Sequence, residues 1–126
     1  MHNLIDEKDL LRESDRAAVE VINDIIGYCF IEQLEYFSKG TGIGTDFGLC
    51  VFWDNLDETQ KKECGPFDGV ECSNIADESG VLSYEDFYYY LQVAGNTYLK
   101  RCPEDTQQVE ELLAAYRKRF NIGEKA

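Results

Sequence analysis

The stretch Gly80–Arg101, GVLSYEDFYYYLQVAGNTYLKR, carries the strongest pattern in the chain. Four of its apolar or aromatic residues recur at spacings that place them on one stripe of an α-helix: Phe87, Leu91, Ala94 and Tyr98. Ser83 precedes this run and Asp86 follows three residues later, which is the arrangement of a capping box. The stretch therefore predicts a capped helix that ends near Arg101, and we expect the rest of the chain to pack around it.

Two further helices are predicted, one on each side of this stretch. The first spans about 14–38, has apolar residues at helical spacing, and ends at Lys39-Gly40. The last spans about 104–120, with acids early and bases late, an order that complements the helix dipole. Residues 1–13 are predicted to form a short helical lead-in or a loose arm.

The middle of the chain predicts a small sheet. Gly48–Asp54 reads as a strand because it is rich in β-formers, 70–73 as a shorter one, and Val81-Leu82 as a third segment. The glycine-rich stretch at 40–48 predicts a flexible connection. A sheet this small needs a helix over one face. We therefore predict a single α+β domain spanning residues 1–126, in which three main helices pack with a two- to three-stranded antiparallel sheet.

The chain is strongly acidic, with 25 Asp and Glu against 12 Lys and Arg and a net charge of −13. Residues 40–80 form its most acidic third. Phosphate backbones and anionic lipid surfaces repel such a chain, so we expect neither direct nucleic-acid binding nor membrane binding. A basic protein partner would be steered toward it, although acidity can also serve solubility alone.

The sequence patterns indicate no metal and no cofactor. The five cysteines, at 29, 50, 64, 72 and 102, form no CxxC pair, and the only histidine is His2, so a zinc site lacks its paired ligands. The odd cysteine count and the lack of a secretory pattern favour reduced, mostly buried thiols in a cytosolic protein. The glycines at 40–48 follow a helix and precede a strand, which reverses the order found in a dinucleotide site.

The segment Asp77–Phe87 resembles the second half of an EF-hand calcium loop, with Gly80 as its turn glycine and Asp86 as its closing carboxylate. The position of the first ligand is Ile75, whose side chain offers no oxygen. A strand, a turn and a capped helix would give the same residues for local reasons. A calcium-responsive module is therefore an alternative that rests on this degenerate loop alone.

The sequence offers little for catalysis. No histidine lies beyond the N-terminus, so a Ser/His or Cys/His nucleophile pair is absent, and a two-carboxylate glycosidase would need a cleft that the pattern does not reveal. Tyr88-Tyr89-Tyr90 cannot all face the core, because successive helical residues point about 100° apart. At least one of these rings should be exposed or half-exposed, either at an interface or at the rim of the helix packing.

A recognisable set of short strings runs through the chain: CFIEQLEYF at 29–37, TDFG at 45–48, FDGVE at 67–71, LSYEDFYYYL at 82–91, YL at 98–99 and PED at 103–105. With them, the segment from about Cys29 to Arg119 resembles the immunity proteins of bacterial contact-dependent growth inhibition (CDI) and related polymorphic toxin systems. More narrowly, it is similar to the group that neutralises ribonuclease toxins.

The resemblance implies a non-enzymatic inhibitor that binds a cognate nuclease toxin in the cytoplasm, as a monomer in a one-to-one complex. A ribonuclease presents a basic cleft, which an acidic protein with aromatic rims can fill. The residues expected to contact the toxin are acids of the middle third and aromatic anchors: Asp46, Trp53, Asp54, Asp57, Glu58, Asp68, Glu71, Asp77, Glu78, Tyr88 and Tyr89. The alternative function is an acidic adaptor or regulatory domain that binds another basic protein.

Overall fold

The fold is α+β, with a four-stranded antiparallel sheet whose strands lie in chain order. The computed structural model describes residues 4–27, 29–64, 67, 69–76 and 78–122. The strands are β1 Ile43–Gly44, β2 Gly48–Phe52, β3 Val70–Asn74 and β4 Ser79–Leu82. Along β2 and β3 the register pairs Gly48 with Asn74 and Phe52 with Val70, and β3 pairs with β4 from Val70–Leu82 to Ser73–Ser79.

The described residues contain five α-helices rather than the three predicted. They are α1 Arg16–Ile26, α2 Phe30–Ser38, α3 Glu58–Cys64, α4 Tyr84–Arg101 and α5 Thr106–Arg119. In the part of the chain that the structure describes, none of them combines the length and apolarity needed to cross a lipid bilayer. The sheet has one strand more than the upper prediction, because the glycine-rich stretch expected to be a flexible connection contributes β1.

The predicted first helix is two helices, and the break has a local cause. Gly27 caps the C-terminus of α1, and Cys29 takes a left-handed conformation with φ of 48° immediately before α2. A non-glycine residue rarely adopts this conformation inside a helix. The apolar spacing continues across the break, so the periodicity alone could not reveal it.

The N-terminus of α4 is capped as predicted, but only on one side. Ser83 Oγ accepts from Asp86 N at 3.0 Å. The reciprocal bond of a capping box does not form, because Asp86 Oδ2 accepts instead from Arg12 Nη1 at 2.9 Å. In the segment of the EF-hand alternative, Ser79–Leu82 forms strand β4 and pairs with β3. Asp77, the first acid of that segment, lies outside the described residues.

The helices cover one face of the sheet. α1 lies across β2, β3 and β4, so it covers more of the sheet than α4, around which the chain was expected to pack. Phe52, at the end of β2, is fully buried and joins the sheet to the other helices. Its ring centroid lies 5.9 Å from that of Phe37 in α2, 5.3 Å from Phe87 in α4 and 5.7 Å from Phe120 at the end of α5.

The N-terminal segment is docked rather than loose. Ile5 is buried, and its backbone N–H and C=O both bond to the Asn23 side chain at 3.0 Å. Further along, Leu11 N donates to the hydroxyl of Tyr90, which in turn donates to Asp15 Oδ2. Burial and this carboxylate raise the pKa of Tyr90 well above its ordinary value. The N-terminal segment therefore packs against α1, through Asn23, and against α4, through Tyr90.

Replacing Phe52 by alanine should lower the free energy of unfolding by about 3–5 kcal/mol, because the cavity would open where the sheet meets three helices. Urea denaturation followed by circular dichroism would measure the loss. Phe47→Ala removes the same ring from an exposed position and should cost less than about 1 kcal/mol. Equal losses in the two variants would contradict the central role of Phe52.

Candidate functional site

The face of the sheet that points away from α1 carries exposed apolar side chains around one acid. Along β2, β3 and β4, alternate residues point to opposite faces. Cys50, Cys72 and Leu82 belong to the buried face. On the other face, Glu71 lies between its register partners Val51 and Val81. We call this surface, formed by Leu49, Val51, Glu71, Ser73, Ser79 and Val81, the outer face.

The apolar residues of the outer face are accessible to a partner. Leu49 is 43% exposed and Val81 is 47% exposed, while Val51 and Glu71 are half-buried between them. Single exposed apolar residues are common on protein surfaces. Here they are neighbours on one sheet face, and an acid stands among them.

One end of the sheet brings two acidic turns together. The β1–β2 turn is held by Thr45, whose Oγ1 accepts from Phe47 N at 3.1 Å, and the β3–β4 turn begins at Ile75. Ile75 N donates to Phe47 O at 2.9 Å, which links the two turns. Asp46 on the first turn and Glu78 on the second are both exposed. The linked turns therefore place acids beside the outer face.

The opposite end carries the short segment Trp53–Asn55 and then α3. The Trp53 ring makes an edge contact with Phe67 at 5.0 Å, and the Lys61 ammonium lies 5.2 Å from its centroid. Trp53 is thus half-buried by its own neighbours rather than freely presented. Asp54 beside it is exposed, and its backbone N–H donates to the Tyr84 hydroxyl at 3.3 Å.

Asp57 and Glu58 have different roles at the start of α3. Asp57 Oδ1 accepts from Gln60 N at 2.8 Å, and Gln60 Oε1 accepts from Asp57 N at 2.9 Å. This is a capping box, so the Asp57 carboxylate already serves the helix. Glu58 is exposed in the first turn and is available to a partner.

A groove of about 380 Å³ runs between the sheet edge and the segment that enters α3. Its apolar walls include Ile43, Leu49, Val51 and Leu56, and Gln60 lies at its rim. Because Leu49 and Val51 also belong to the outer face, the groove extends this surface toward α3.

Tyr88 and Tyr89 lie elsewhere, on the helical side of the molecule. The Tyr88 ring stacks on Tyr116 at 5.8 Å, and the Tyr89 hydroxyl donates to Asp9 O at 2.9 Å. Both rings line a groove of about 370 Å³ that also includes Glu85. As predicted, the tyrosine triplet is divided: Tyr90 is fully buried, whereas Tyr88 and Tyr89 are half-buried.

The eleven residues proposed from the sequence therefore do not form one patch. Six acids are described and lie on the outer face or at the two ends of the sheet: Asp46, Asp54, Asp57, Glu58, Glu71 and Glu78. Trp53 stands with the second end, and Tyr88 and Tyr89 belong to the other groove. Asp68 and Asp77 lie outside the described residues.

Sequence reasoning missed the apolar part of this surface. Leu49 and Val81 were treated only as strand residues. Their alternation with buried neighbours is seen in the structure, whereas the strings GLCVF and SGVL show no apolar–polar alternation that signals a two-sided strand. It also missed Arg12, whose guanidinium joins Asp15 and Asp86 at 2.9 Å each. No local pattern signals that contact, because Arg12 and Asp86 are 74 positions apart.

One group of possible metal ligands occurs among the described residues. Cys102, Glu104 and Asp105 have ligand atoms within 4.8 Å of one another. Asp105 already accepts a hydrogen bond from the Tyr98 hydroxyl, and exposed acids of this kind are common without an ion. This group lies at the α4–α5 connection, apart from the outer face.

Among the described residues, the sheet is backed by helices on one face, and its other face combines apolar side chains with acids, which is a composition typical of protein-binding surfaces.

A family model described as CDI immunity protein matches residues 14–113, which is most of the chain. The chain therefore belongs to the CDI immunity protein family, whose members neutralise a cognate CDI toxin and are not enzymes. No curated protein matches the sequence. The resemblance noted from the sequence is confirmed at the level of the family.

The geometry around Tyr89 predicts a stabilising role in the free protein. Tyr89→Phe removes the hydroxyl that holds Asp9 O and should lower the free energy of unfolding by about 1 kcal/mol. Tyr36→Phe makes the same change at an exposed position and should leave it unchanged. Thermal and urea unfolding of both variants would test this. An unchanged free energy of unfolding in Tyr89→Phe would contradict this stabilising role and would leave contact with a partner as the remaining role for the Tyr89 hydroxyl.

Proposed function

We propose that this immunity protein neutralises a ribonuclease toxin by laying its outer face and the flanking acids over the toxin's basic substrate cleft. The observation that carries the proposal is the outer face, which no described helix covers as α1 covers the inner face, with Glu71 at its centre between Val51 and Val81. We expect a one-to-one complex, formed in the cytoplasm where a nuclease toxin would act.

Charge supports a basic partner. Residues 40–80 hold nine acids and two bases, and one of these bases, Lys61, lies over the Trp53 ring. A toxin that grips RNA must be basic where it binds the phosphate backbone. Opposite charges accelerate association and favour one orientation of docking, so a cleft of this kind would be drawn to the two acidic ends of the sheet.

The apolar residues supply what charge alone cannot. Stable interfaces combine a desolvated centre, which provides most of the affinity, with a polar rim that remains hydrated. Leu49, Val51 and Val81 lie around Glu71 near the centre of the outer face, and the exposed acids lie toward its ends. We infer that the apolar centre governs dissociation, whereas the acids govern association and partner choice.

The position of Tyr88 and Tyr89 narrows the proposal. Their groove lies on the helical side, so a toxin domain seated on the outer face would reach them only by wrapping around the molecule. We therefore assign the primary interface to the outer face. The assignment of Tyr88 and Tyr89 as toxin anchors stays a prediction that partner-bound measurements must test.

A double charge reversal tests the electrostatic part. Glu58→Lys with Glu71→Lys should lower the association rate constant with the toxin by about tenfold or more at low salt, and should weaken its salt dependence. Asp57 is left intact because it caps α3. Stopped-flow fluorescence of Trp53, the only tryptophan, would follow the association.

The matched control is Glu110→Lys with Glu111→Lys. These two acids are exposed on α5, and their reversal alters the net charge by the same amount. The control should change the rate by less than about twofold. Equal effects of the two double variants would show that net charge, not the outer face, steers the toxin.

Co-expression tests the biological function. The C-terminal region of the reading frame upstream of this gene would be induced with and without this protein, and growth and total RNA would be followed. Growth arrest with RNA degradation, relieved by this protein through an isolated one-to-one complex, is the expected result.

Two other outcomes would change the proposal in different ways. Rescue from an arrest in which DNA is lost and RNA stays intact would refute the ribonuclease part and leave the inhibitory role. Arrest without rescue would favour the adaptor alternative over neutralisation of that toxin.

A further inference from the structure

Two cysteine thiols meet in the core at the centre of the sheet. Cys50 in β2 and Cys72 in β3 are direct register partners. Their Sγ atoms lie 3.2 Å apart. The residues are 1% and 0% exposed, on the face covered by α1. The sequence predicts only reduced, mostly buried thiols, and the pairing of these two is a finding of the structure.

The backbone already meets the requirement for a disulfide. Directly opposed residues in antiparallel strands have Cα atoms about 4.5 or 5.5 Å apart, and disulfides span Cα separations of roughly 4.4–6.8 Å. The two sulfur atoms need to approach by only about 1 Å to reach bonding distance. Small side-chain rotations can supply this movement without a change of register.

We propose that Cys50 and Cys72 form a redox modification site, which an exogenous low-molecular-weight disulfide such as oxidised glutathione converts to an intrachain disulfide. One cysteine attacks a sulfur of the reagent as its thiolate, forms a mixed disulfide and releases one glutathione thiolate. The other cysteine then attacks the protein sulfur of the mixed disulfide and releases the second. The protein loses two electrons and two protons, and the reagent is reduced to two thiols.

Burial controls when the reaction occurs. The hydrogen bond to Cys50 and the loss of solvent raise the pKa of the Cys72 thiol, and only the thiolate is nucleophilic. Because both residues are also buried, the reagent can reach a sulfur only when β2 and β3 separate. The reaction is slow in the closed protein and is faster whenever this strand pair opens or before it has formed.

The bond would constrain the segment that carries most of the proposed contact residues. Cys50 and Cys72 enclose residues 51–71, which include Trp53, Glu58 and Glu71. Closing this loop restricts the unfolded chain. The thermal midpoint should rise by roughly 10 °C. The inference does not depend on the toxin's identity, since it concerns the free protein.

The test uses a variant that keeps only these two cysteines, made by Cys29→Ser, Cys64→Ser and Cys102→Ser. It is equilibrated with oxidised glutathione, with and without a urea concentration below the unfolding transition. Expected results are an intact mass lower by two hydrogens, a Cys50–Cys72 linked peptide after digestion, faster formation in urea, and a higher thermal midpoint that dithiothreitol reverses. The same variant with Cys72→Ala should show none of these changes.

Wild-type protein provides a second measurement that does not depend on the folding of the variant. After oxidation, peptide mapping should show Cys50 linked to Cys72 in preference to any pairing with Cys29, which is exposed. Persistent mixed disulfides without the linked peptide would overturn the proposal. So would a linked protein whose thermal midpoint is unchanged or lower.

Discussion

The structure depends on the contact of one ring, Phe52, with aromatic side chains from three helical regions. Phe37, Phe87 and Phe120 come from distant parts of the chain, and each of them reaches Phe52 within 6 Å between ring centroids. A small sheet is stable only when it has an apolar face or packs against a helix. Through these contacts, Phe52 joins the sheet to the helices, and the face of the sheet that carries Phe52 is the buried face.

Once that face is chosen, the described side chains of the opposite face lie outside the core. Alternate residues of β2, β3 and β4 belong to the core, whereas Val51 and Glu71, which lie between them, are half-buried on the outer face. The acidic turns at one end and α3 at the other extend the bare surface beyond the strands. Membership in the CDI immunity protein family gives the protein a partner, the cognate toxin, and the proposed function assigns that partner to this surface.

The elements that local chemistry determines could be predicted from the sequence. Apolar spacing and the Ser83 cap gave α4, and β-former composition located β2. The features that were missed depend on tertiary context. The left-handed conformation of Cys29 splits a continuous apolar stripe into two helices. Strand β1 has only two residues and is defined by its pairing with β2. The Asp86 carboxylate accepts a hydrogen bond from Arg12 rather than completing the predicted capping box. The candidate acids could be named from composition, but their separation from Tyr88 and Tyr89 is visible only in the fold.

The alternation along the strands also bears on how recognition could change over evolutionary time. Substitutions at Leu49, Glu71 or Val81 touch no core contact, so a new partner preference can arise with little loss of folding free energy. A one-residue insertion in the same strands is a different event, because it would move every following side chain to the opposite face. Core residues such as Phe52 or Cys72 would then face solvent and the acids would face α1. The outer face can therefore vary in chemistry while its residue count stays fixed.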